Sequence, residues 1–186
     1  RAKPENAGPI VAEFLGYAEP RIRADAANTL ARLKLNDGND QLRKLLTTDR
    51  DPIVRANAAR VLGATEDKAS FDSLLDRAIK DTDLRVRVSA IRALAALKDG
   101  RATTPLIERG NRLLGDAKNA TASGKSGNKS SAANELLEIA TTLGRVRQNA
   151  DDQRTVEWLR SLRPIIGSAP EVEIAQARLN FKLVVV

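Results

Sequence analysis

Residues 51–62 decide the fold, and they read Asp51-Pro52-Ile53-Val54-Arg55-Ala56-Asn57-Ala58-Ala59-Arg60-Val61-Leu62. The same pattern occurs upstream as EPRIRADAANTL (residues 19–30) and downstream as DLRVRVSAIRAL (residues 83–94). The arginines that the three copies share are at positions 23, 55 and 87, so the period is 32 residues. A fixed period of this size is typical of solenoid proteins, in which each repeat stacks on its neighbours.

Each copy of the repeat carries three apolar positions that lie four residues apart and therefore share one face of a helix. These positions form three columns: Ile22, Val54 and Val86; Ala26, Ala58 and Ala90; and Leu30, Leu62 and Leu94. We interpret this face as the core. Because the middle column is always alanine, we expect neighbouring helices to approach closely, and a large side chain there to overpack the core.

The chain of 186 residues is predicted to be one all-α domain of about five helix pairs. The expected units cover residues 8–36, 37–66, 67–100, 101–149 and 150–181. The fourth unit contains residues 115–131, which are rich in Gly, Ser, Asn and Lys, and this composition predicts a flexible insertion. The last six residues, FKLVVV (181–186), are β-prone. We expect this tail to pack on the last repeat or to lead into a further domain.

Composition excludes several kinds of chemistry. The sequence has no Cys and no His, which removes disulfides, thiol nucleophiles, Cys/His metal sites and Ser-His dyads. Helix capping or a turn explains each carboxylate pair that could serve in acid–base catalysis, such as Asp151 with Asp152. We therefore predict no enzymatic activity, no catalytic residue, no metal site and no cofactor.

Neither a membrane span nor a strongly basic domain is indicated. No apolar run approaches the roughly 20 residues that cross a bilayer, so we expect a soluble protein. Because the chain begins at Arg1 without a methionine, we expect a fragment or a mature form, either cytoplasmic or exported after removal of a signal sequence. The net charge of +7 is concentrated in residues 101–150, around the predicted insertion, and is weak evidence for nucleic-acid binding.

The unit Asp-Pro-x-Val-Arg-x-x-Ala-Ala-x-x-Leu at residues 51–62 resembles the second helix of a HEAT repeat. The 32-residue period is similar to that of the short bacterial phycobilisome-lyase HEAT-like repeats. The resemblance is strong over residues 8–100 and weak after Gly115, where Leu136 and Glu173 replace the repeated arginine. It implies an α-α superhelix, a HEAT-like solenoid whose second helices line a concave, protein-binding surface.

The resemblance also implies a ladder of side chains that connects neighbouring repeats. Its candidate members are Glu19, Arg23, Asp51, Arg55, Asp83 and Arg87. Each acid precedes its arginine by four residues, so it can cap its own helix and reach an arginine of its own or the next unit. We interpret these arginines as structural cross-links and keep anion binding as the alternative.

A second set of arginines lies on the outward side of the repeated helices. In a HEAT-like array, stacking would bring these residues into a basic stripe on the concave face: Arg21, Arg32, Arg60, Arg85 and Arg92. The simpler interpretation of this set is a solvated polar face. As a binding surface, it suits an acidic protein segment or a phosphate backbone.

We therefore predict a non-catalytic scaffold that binds a partner protein. Two alternatives are kept: nucleic-acid binding through the arginine stripe, and a structural module attached to a further C-terminal domain. Two activities associated with HEAT-like proteins, DNA glycosylase and bilin lyase, are disfavoured. The chain has a single tryptophan, Trp158, and no Cys or His, whereas base stacking relies on several aromatic side chains.

Overall fold

The prediction of an all-α array is confirmed by a computed structural model, which describes residues 6–122, 129–146, 153–166 and 169–184. Those residues contain ten α-helices and no strand. The helices are α1 (Ala7–Glu13), α2 (Pro20–Leu33), α3 (Asn39–Thr48), α4 (Pro52–Ala64), α5 (Phe71–Lys80), α6 (Leu84–Leu97), α7 (Thr103–Ala122), α8 (Lys129–Leu143), α9 (Gln153–Ile166) and α10 (Pro170–Val184).

Contacts divide the chain into two compact units, residues 1–97 and residues 98–186. In the first unit, α1, α3 and α5 each pack against the helix that follows, and the second helices α2, α4 and α6 pack side by side. In the second unit, α7 packs on α8, α9 packs on α10, and the second helices α8 and α10 contact each other. Each unit is therefore built from helix pairs that associate through their second helices. That all five pairs form one domain stays a prediction.

The repeated second helices begin at equivalent residues and end within one residue of equivalent positions. Both α2 and α4 start with a proline, whose missing N–H costs no hydrogen bond at the first helical position. The left-handed residues that follow α2, α4 and α6 are Lys34, Glu66 and Lys98, with φ of 51°, 51° and 54°. Each position is 32 residues after the previous one, so the backbone conformation has the same period as the sequence. A side chain in this conformation costs roughly 1 kcal/mol. Backbone hydrogen bonds close the helix at these residues, including Leu35 N–H to the Leu30 carbonyl at 3.1 Å and Asp67 N–H to the Leu62 carbonyl at 2.9 Å.

The predicted core face is buried, with one exception. Val54, Val86 and all the leucines of the third column are fully buried, and the alanine column is at most 6% exposed. Ile22 is 36% exposed. Its helix, α2, is the first in the row of second helices α2, α4 and α6.

Close helix contacts depend on glycine and alanine. A Cβ atom at Gly63 of α4 would lie 2.7 Å from Ala93 Cα in α6. The second unit repeats this contact between α8 and α10, because a Cβ atom at Gly144 would lie 2.8 Å from Ala175 Cα. Small residues therefore let the second helices approach until their backbones touch.

Two segments that the sequence did not predict to be helical contain helix. The segment 115–131, predicted as a flexible insertion, is helical where the structure describes it, because α7 continues to Ala122 and α8 starts at Lys129; residues 123–128 lie outside the described residues. Alanine and lysine are good helix formers and extend a helix that has already begun. The β-prone tail is also helical to Val184, because β-propensity depends on a neighbouring strand to pair with; residues 185–186 are not described.

A glycine-to-alanine pair tests the close contact. Gly63→Ala should lower the free energy of unfolding by about 1–3 kcal/mol, because the added methyl group overlaps backbone atoms of Ala93. Gly115→Ala is the matched control, because nothing lies within 4 Å of its Cβ position. It should raise stability by up to about 1 kcal/mol through helix propensity. Urea unfolding of both variants measures this, and an equal response at the two sites would contradict the packing.

Candidate functional site

The first repeated arginine links two helix pairs. The Arg23 guanidinium donates to both carboxylate oxygens of Asp49, at 2.8 and 3.0 Å. It also donates to the backbone carbonyls of Tyr17 and Ala18, at 2.8 and 2.7 Å. Arg23 lies in α2, whereas Asp49 lies just before α4. One side chain therefore holds the loop before its own helix and the loop of the next pair.

The second arginine repeats this geometry more deeply in the protein. Arg55 donates to both oxygens of Asp81 at 2.9 Å and to the carbonyls of Asp49 and Arg50 at 2.9 and 3.1 Å. The Asp81 side chain is only 1% exposed. Burial by itself raises the pKa of Asp81, but the hydrogen bonds from Arg55 and from the Asp83 N–H, with the charge of Arg77, hold that pKa below its ordinary value.

The third arginine binds its own loop in the same way. Arg87 donates to the carbonyls of Asp81 and Thr82, at 2.8 and 3.1 Å. Each of the three arginines therefore reaches the carbonyls six and five residues before it. Asp81 is held twice, because its carboxylate binds Arg55 of the previous pair and its carbonyl binds Arg87 of its own pair.

The predicted acids are not the ones that bind Arg23 and Arg55. Asp51 caps α4 by accepting from the N–H groups of Ile53 and Val54 at 2.7 and 3.4 Å, and Asp83 accepts from the Arg85 N–H at 2.8 Å. Glu19 precedes α2 without capping it. The carboxylates of Asp51 and Asp83 are turned toward these helix starts, which leaves the arginines to the aspartate two residues earlier. That aspartate also recurs every 32 residues, at 49 and 81, which is the signal that the sequence offered.

The second unit has a buried ion pair of its own. Arg109 of α7 donates to both oxygens of Glu135 at 2.8 and 3.3 Å, and the Glu135 side chain is 1% exposed. This pair joins the two helices of one pair instead of two successive pairs. It therefore does not continue the arrangement of the first unit, and the sequence pattern did not reveal it.

All five arginines of the predicted stripe are exposed, but the structure brings only three of them together. Arg32, Arg60 and Arg92 line one groove across α2, α4 and α6. Arg21 and Arg85 lie at the N-terminal ends of α2 and α6 and do not line the groove. Arg85 forms an ion pair with Asp83 at 2.7 Å.

The groove has a floor of small residues and basic walls. It measures 290 Å³ and is lined by Ala31, Arg32, Arg60, Gly63, Ala64, Ser89, Arg92, Ala93 and Ala96. None of these residues is acidic. Arg60 donates to Asn57 Oδ1 at 3.3 Å, and the Asn57 amide donates to the Ala24 carbonyl of α2 at 2.9 Å. Asn57 therefore connects the Arg60 side chain to the neighbouring helix α2.

The aromatic side chains do not support base stacking in the groove. Trp158 is 6% exposed, fills the space beside Gly110, and donates to Asn111 Oδ1 at 2.9 Å. Phe14 and Tyr17 are exposed and stacked, with ring centroids 5.0 Å apart, but neither lines the groove. Across the ranges that the structure describes, no cluster of acidic side chains could hold a metal ion. The same ranges include no helix with the length and apolarity of a membrane span.

Comparison with known proteins supports the repeat architecture. A family model described as HEAT repeats matches residues 39–122, which extend from α3 to α7. No curated protein matches the sequence.

Solved structures of similar fold include the complex of CpcE and CpcF of phycocyanin lyase from Nostoc sp. PCC7120. The match has a TM-score of 0.68 at 22% identity and covers all of this chain and 68% of that chain. An engineered protein matches with a TM-score of 0.57 at 22% identity, over 96% of this chain and 48% of that one. Another engineered protein gives 0.52 at 20% identity, over 97% of both chains. At these identities the likeness concerns the fold.

Removal of a buried arginine should destabilise the first unit. Arg55→Ala leaves the Asp81 carboxylate buried without its main partner, so the free energy of unfolding should fall by about 3 kcal/mol. Arg85→Ala, which breaks an ion pair whose arginine is exposed on the next second helix, should lower it by less than about 1 kcal/mol. Chemical denaturation measures both. Equal stability of the two variants would contradict a structural role for Arg55.

Acid should lower the stability of the folded state, because some carboxyl groups have a lowered pKa in it. The hydrogen bond from Arg85 and those from the backbone lower the pKa of Asp83 to about 2. A carboxyl group with a lowered pKa stabilises the folded state above its unfolded pKa of about 3.9, and this stability is lost as pH falls through the folded pKa. The free energy of unfolding should therefore decrease between about pH 4 and pH 2.

Asp83→Asn isolates this effect, because asparagine still caps the helix but does not titrate. The variant should lose less stability than the wild type over the same pH window. Arg85 is 62% exposed, so the difference should be largest at low salt. Parallel pH profiles of the two proteins would show that Asp83 does not contribute.

Proposed function

We propose that this chain, which resembles HEAT repeat proteins over residues 39–122, is a non-catalytic scaffold that binds a partner protein on the face of its second helices. The observation that carries this proposal is the groove in which Arg32, Arg60 and Arg92 converge with no acidic neighbour in the lining. The partner meets this groove and the exposed residues around it.

The arginines of the first unit divide into two groups with different roles. Arg23 and Arg55 are held by bidentate carboxylates whose side chains are at most 3% exposed. Arg60 and Arg92 lie on the same kind of helix but are exposed at the groove. The first group holds successive helix pairs together, whereas the second group is exposed where a partner can reach it.

A protein partner fits this face better than a small substrate. The groove is shallow, spans three helices and is lined mostly by alanine, glycine and arginine. Repeat proteins use such extended surfaces for recognition of other proteins. The similar Nostoc structure is itself a complex of two proteins, which supports this reading by analogy. The lining also offers no nucleophile–base pair, since Ser89 is its one hydroxyl and no carboxylate or imidazole accompanies it.

Nucleic-acid binding is the second candidate, because a groove with three arginines and no acid also suits phosphates. Phosphate contacts release counterions, so such a complex loses affinity steeply with salt, in proportion to the number of contacts. Two observations favour protein over nucleic acid. Residues 51–100 have a net charge of only +1, and the groove has no aromatic side chain on which a base could stack.

A pull-down with paired charge reversals tests the proposed function. Arg60→Glu/Arg92→Glu should abolish capture of the partner from a lysate of the source organism, read out by mass spectrometry, because carboxylates would face the partner's carboxylates. The stability of this variant should stay within about 0.5 kcal/mol of the wild type, because both side chains are exposed.

The matched control is Arg154→Glu/Arg160→Glu on α9, which changes the net charge equally at two exposed arginines. This control should capture the same partner as the wild type. If all three proteins retain the same partners, binding does not occur at the groove. If the control loses the partner as the groove variant does, only overall charge matters and the proposal is wrong.

A further inference from the structure

We propose that the groove formed by Arg32, Arg60 and Arg92 binds an extended acidic segment of the partner, with carboxylates at every third residue. This inference rests on the proposed function, since it names the chemistry of the segment that the scaffold would recognise. It is argued from the charge of the lining, the size of the groove and the spacing of its helices.

Charge selects an anionic segment. Three of the nine lining residues are arginines, and the other six are Ala, Gly or Ser. The acid on this face of α2, Asp25, stands where the next repeats have Asn57 and Ser89, and it does not line the groove. Each guanidinium offers up to five N–H donors in a planar fork that matches a carboxylate. The Arg60 contact to Asn57 uses one of them.

The size and the floor of the groove select an extended chain. A volume of 290 Å³ lies at the low end of ligand clefts, whereas a helix with its side chains is about 10–12 Å wide. An amphipathic helix would also need apolar pockets for its anchor residues. The lining has no apolar side chain larger than alanine, so a few residues of extended backbone fit the floor best.

Helix spacing determines the interval between carboxylates. Arg60 and Arg92 occupy equivalent positions on α4 and α6, and packed helices have axes about 8–10 Å apart. A polyproline II segment rises about 3.1 Å per residue and has three residues per turn. Residues i and i+3 of such a segment therefore lie on one side, about 9 Å apart. Glutamates at i, i+3 and i+6 would reach Arg92, Arg60 and Arg32 in turn.

The small floor explains why the segment could approach closely. At the position that Arg32 occupies in α2, α4 and α6 have Ala64 and Ala96. Of these three equivalent positions, only the one in α2 therefore carries an arginine. Gly63 lies against Ala93, which draws α4 and α6 together below the groove. The arginine side chains therefore stand above a low surface, where a backbone could lie between them.

Fluorescence anisotropy with designed peptides tests the proposal on the full chain. The probe is a fluorescein-labelled glycine–serine–proline peptide with glutamate at positions i, i+3 and i+6. One comparison peptide has the same composition but contiguous glutamates. The other has glutamine in place of each glutamate. At low ionic strength, where exposed charges are least screened, the spaced peptide should bind most tightly, and the glutamine peptide should not bind measurably.

Variants locate the site of binding. Arg60→Glu/Arg92→Glu should weaken binding of the spaced peptide by at least about tenfold, whereas Arg154→Glu/Arg160→Glu should change it by less than about twofold. Equal affinity for spaced and contiguous peptides would overturn the proposed register. Equal loss in the two variants would overturn the site.

A single-stranded DNA oligonucleotide of matched charge distinguishes the other occupant. Tighter binding of DNA than of the spaced peptide, with a steep salt dependence and the same sensitivity to Arg60→Glu/Arg92→Glu, would replace the acidic segment by a phosphate backbone. Failure of the peptide with an intact, groove-dependent partner in the pull-down would overturn this inference alone. Loss of groove dependence in both experiments would overturn the proposed function as well.

Discussion

A buried arginine between successive helix pairs is the interaction on which the rest of the first unit depends. Taking a guanidinium and a carboxylate out of water is costly unless the geometry is good and the remaining donors are satisfied. Arg55 meets this condition through four hydrogen bonds, two to the Asp81 carboxylate and two to carbonyls of its own loop. Because the bonds connect the loops of two pairs, they fix the distance and register between them.

This arrangement also explains how one helix can serve two purposes. Arg55 and Arg60 are five residues apart in α4, which places them about 140° apart around a helix of 3.6 residues per turn. Arg55 therefore points to the loop at the start of the helix, while Arg60 lies at the groove. Gly63 and Ala93, which line the groove, bring the neighbouring second helices together there. Stacking and partner recognition thus use different sides of the same helices.

Much of the fold could be predicted because the repeat specifies it locally. The 32-residue period, the alanine column and the proline or aspartate before each second helix indicated the helix pairs and their core. The left-handed residues could not be predicted, since Lys34, Glu66 and Lys98 carry side chains that disfavour that conformation. The conformation accompanies backbone hydrogen bonds that close the helix ends, such as Leu35 N–H to the Leu30 carbonyl. The helical residues 115–122 and 181–184 were missed for a similar reason, because composition describes a segment in isolation.

The candidate site could be predicted only in part. Sequence columns separated the arginines into two groups, but only three of the five predicted for the stripe line the groove. The columns also did not show which acids Arg23 and Arg55 bind. Asp81 and Asp83 are both candidate partners of Arg55, and the choice between them depends on the direction in which each carboxylate points in the turn. Predicting which arginines line the groove likewise requires knowing where each helix begins and ends, because Arg21 and Arg32 share α2 but lie at opposite ends of it.

A double-mutant cycle on Arg55 and Asp81 tests the central claim most directly, because it measures how strongly two successive helix pairs are coupled through their side chains. The cycle compares the free energies of unfolding of the wild type, Arg55→Ala, Asp81→Ala and the double variant. The account predicts a coupling energy in the upper part of the usual range, about 2 kcal/mol or more. Additive effects of the two substitutions would contradict it.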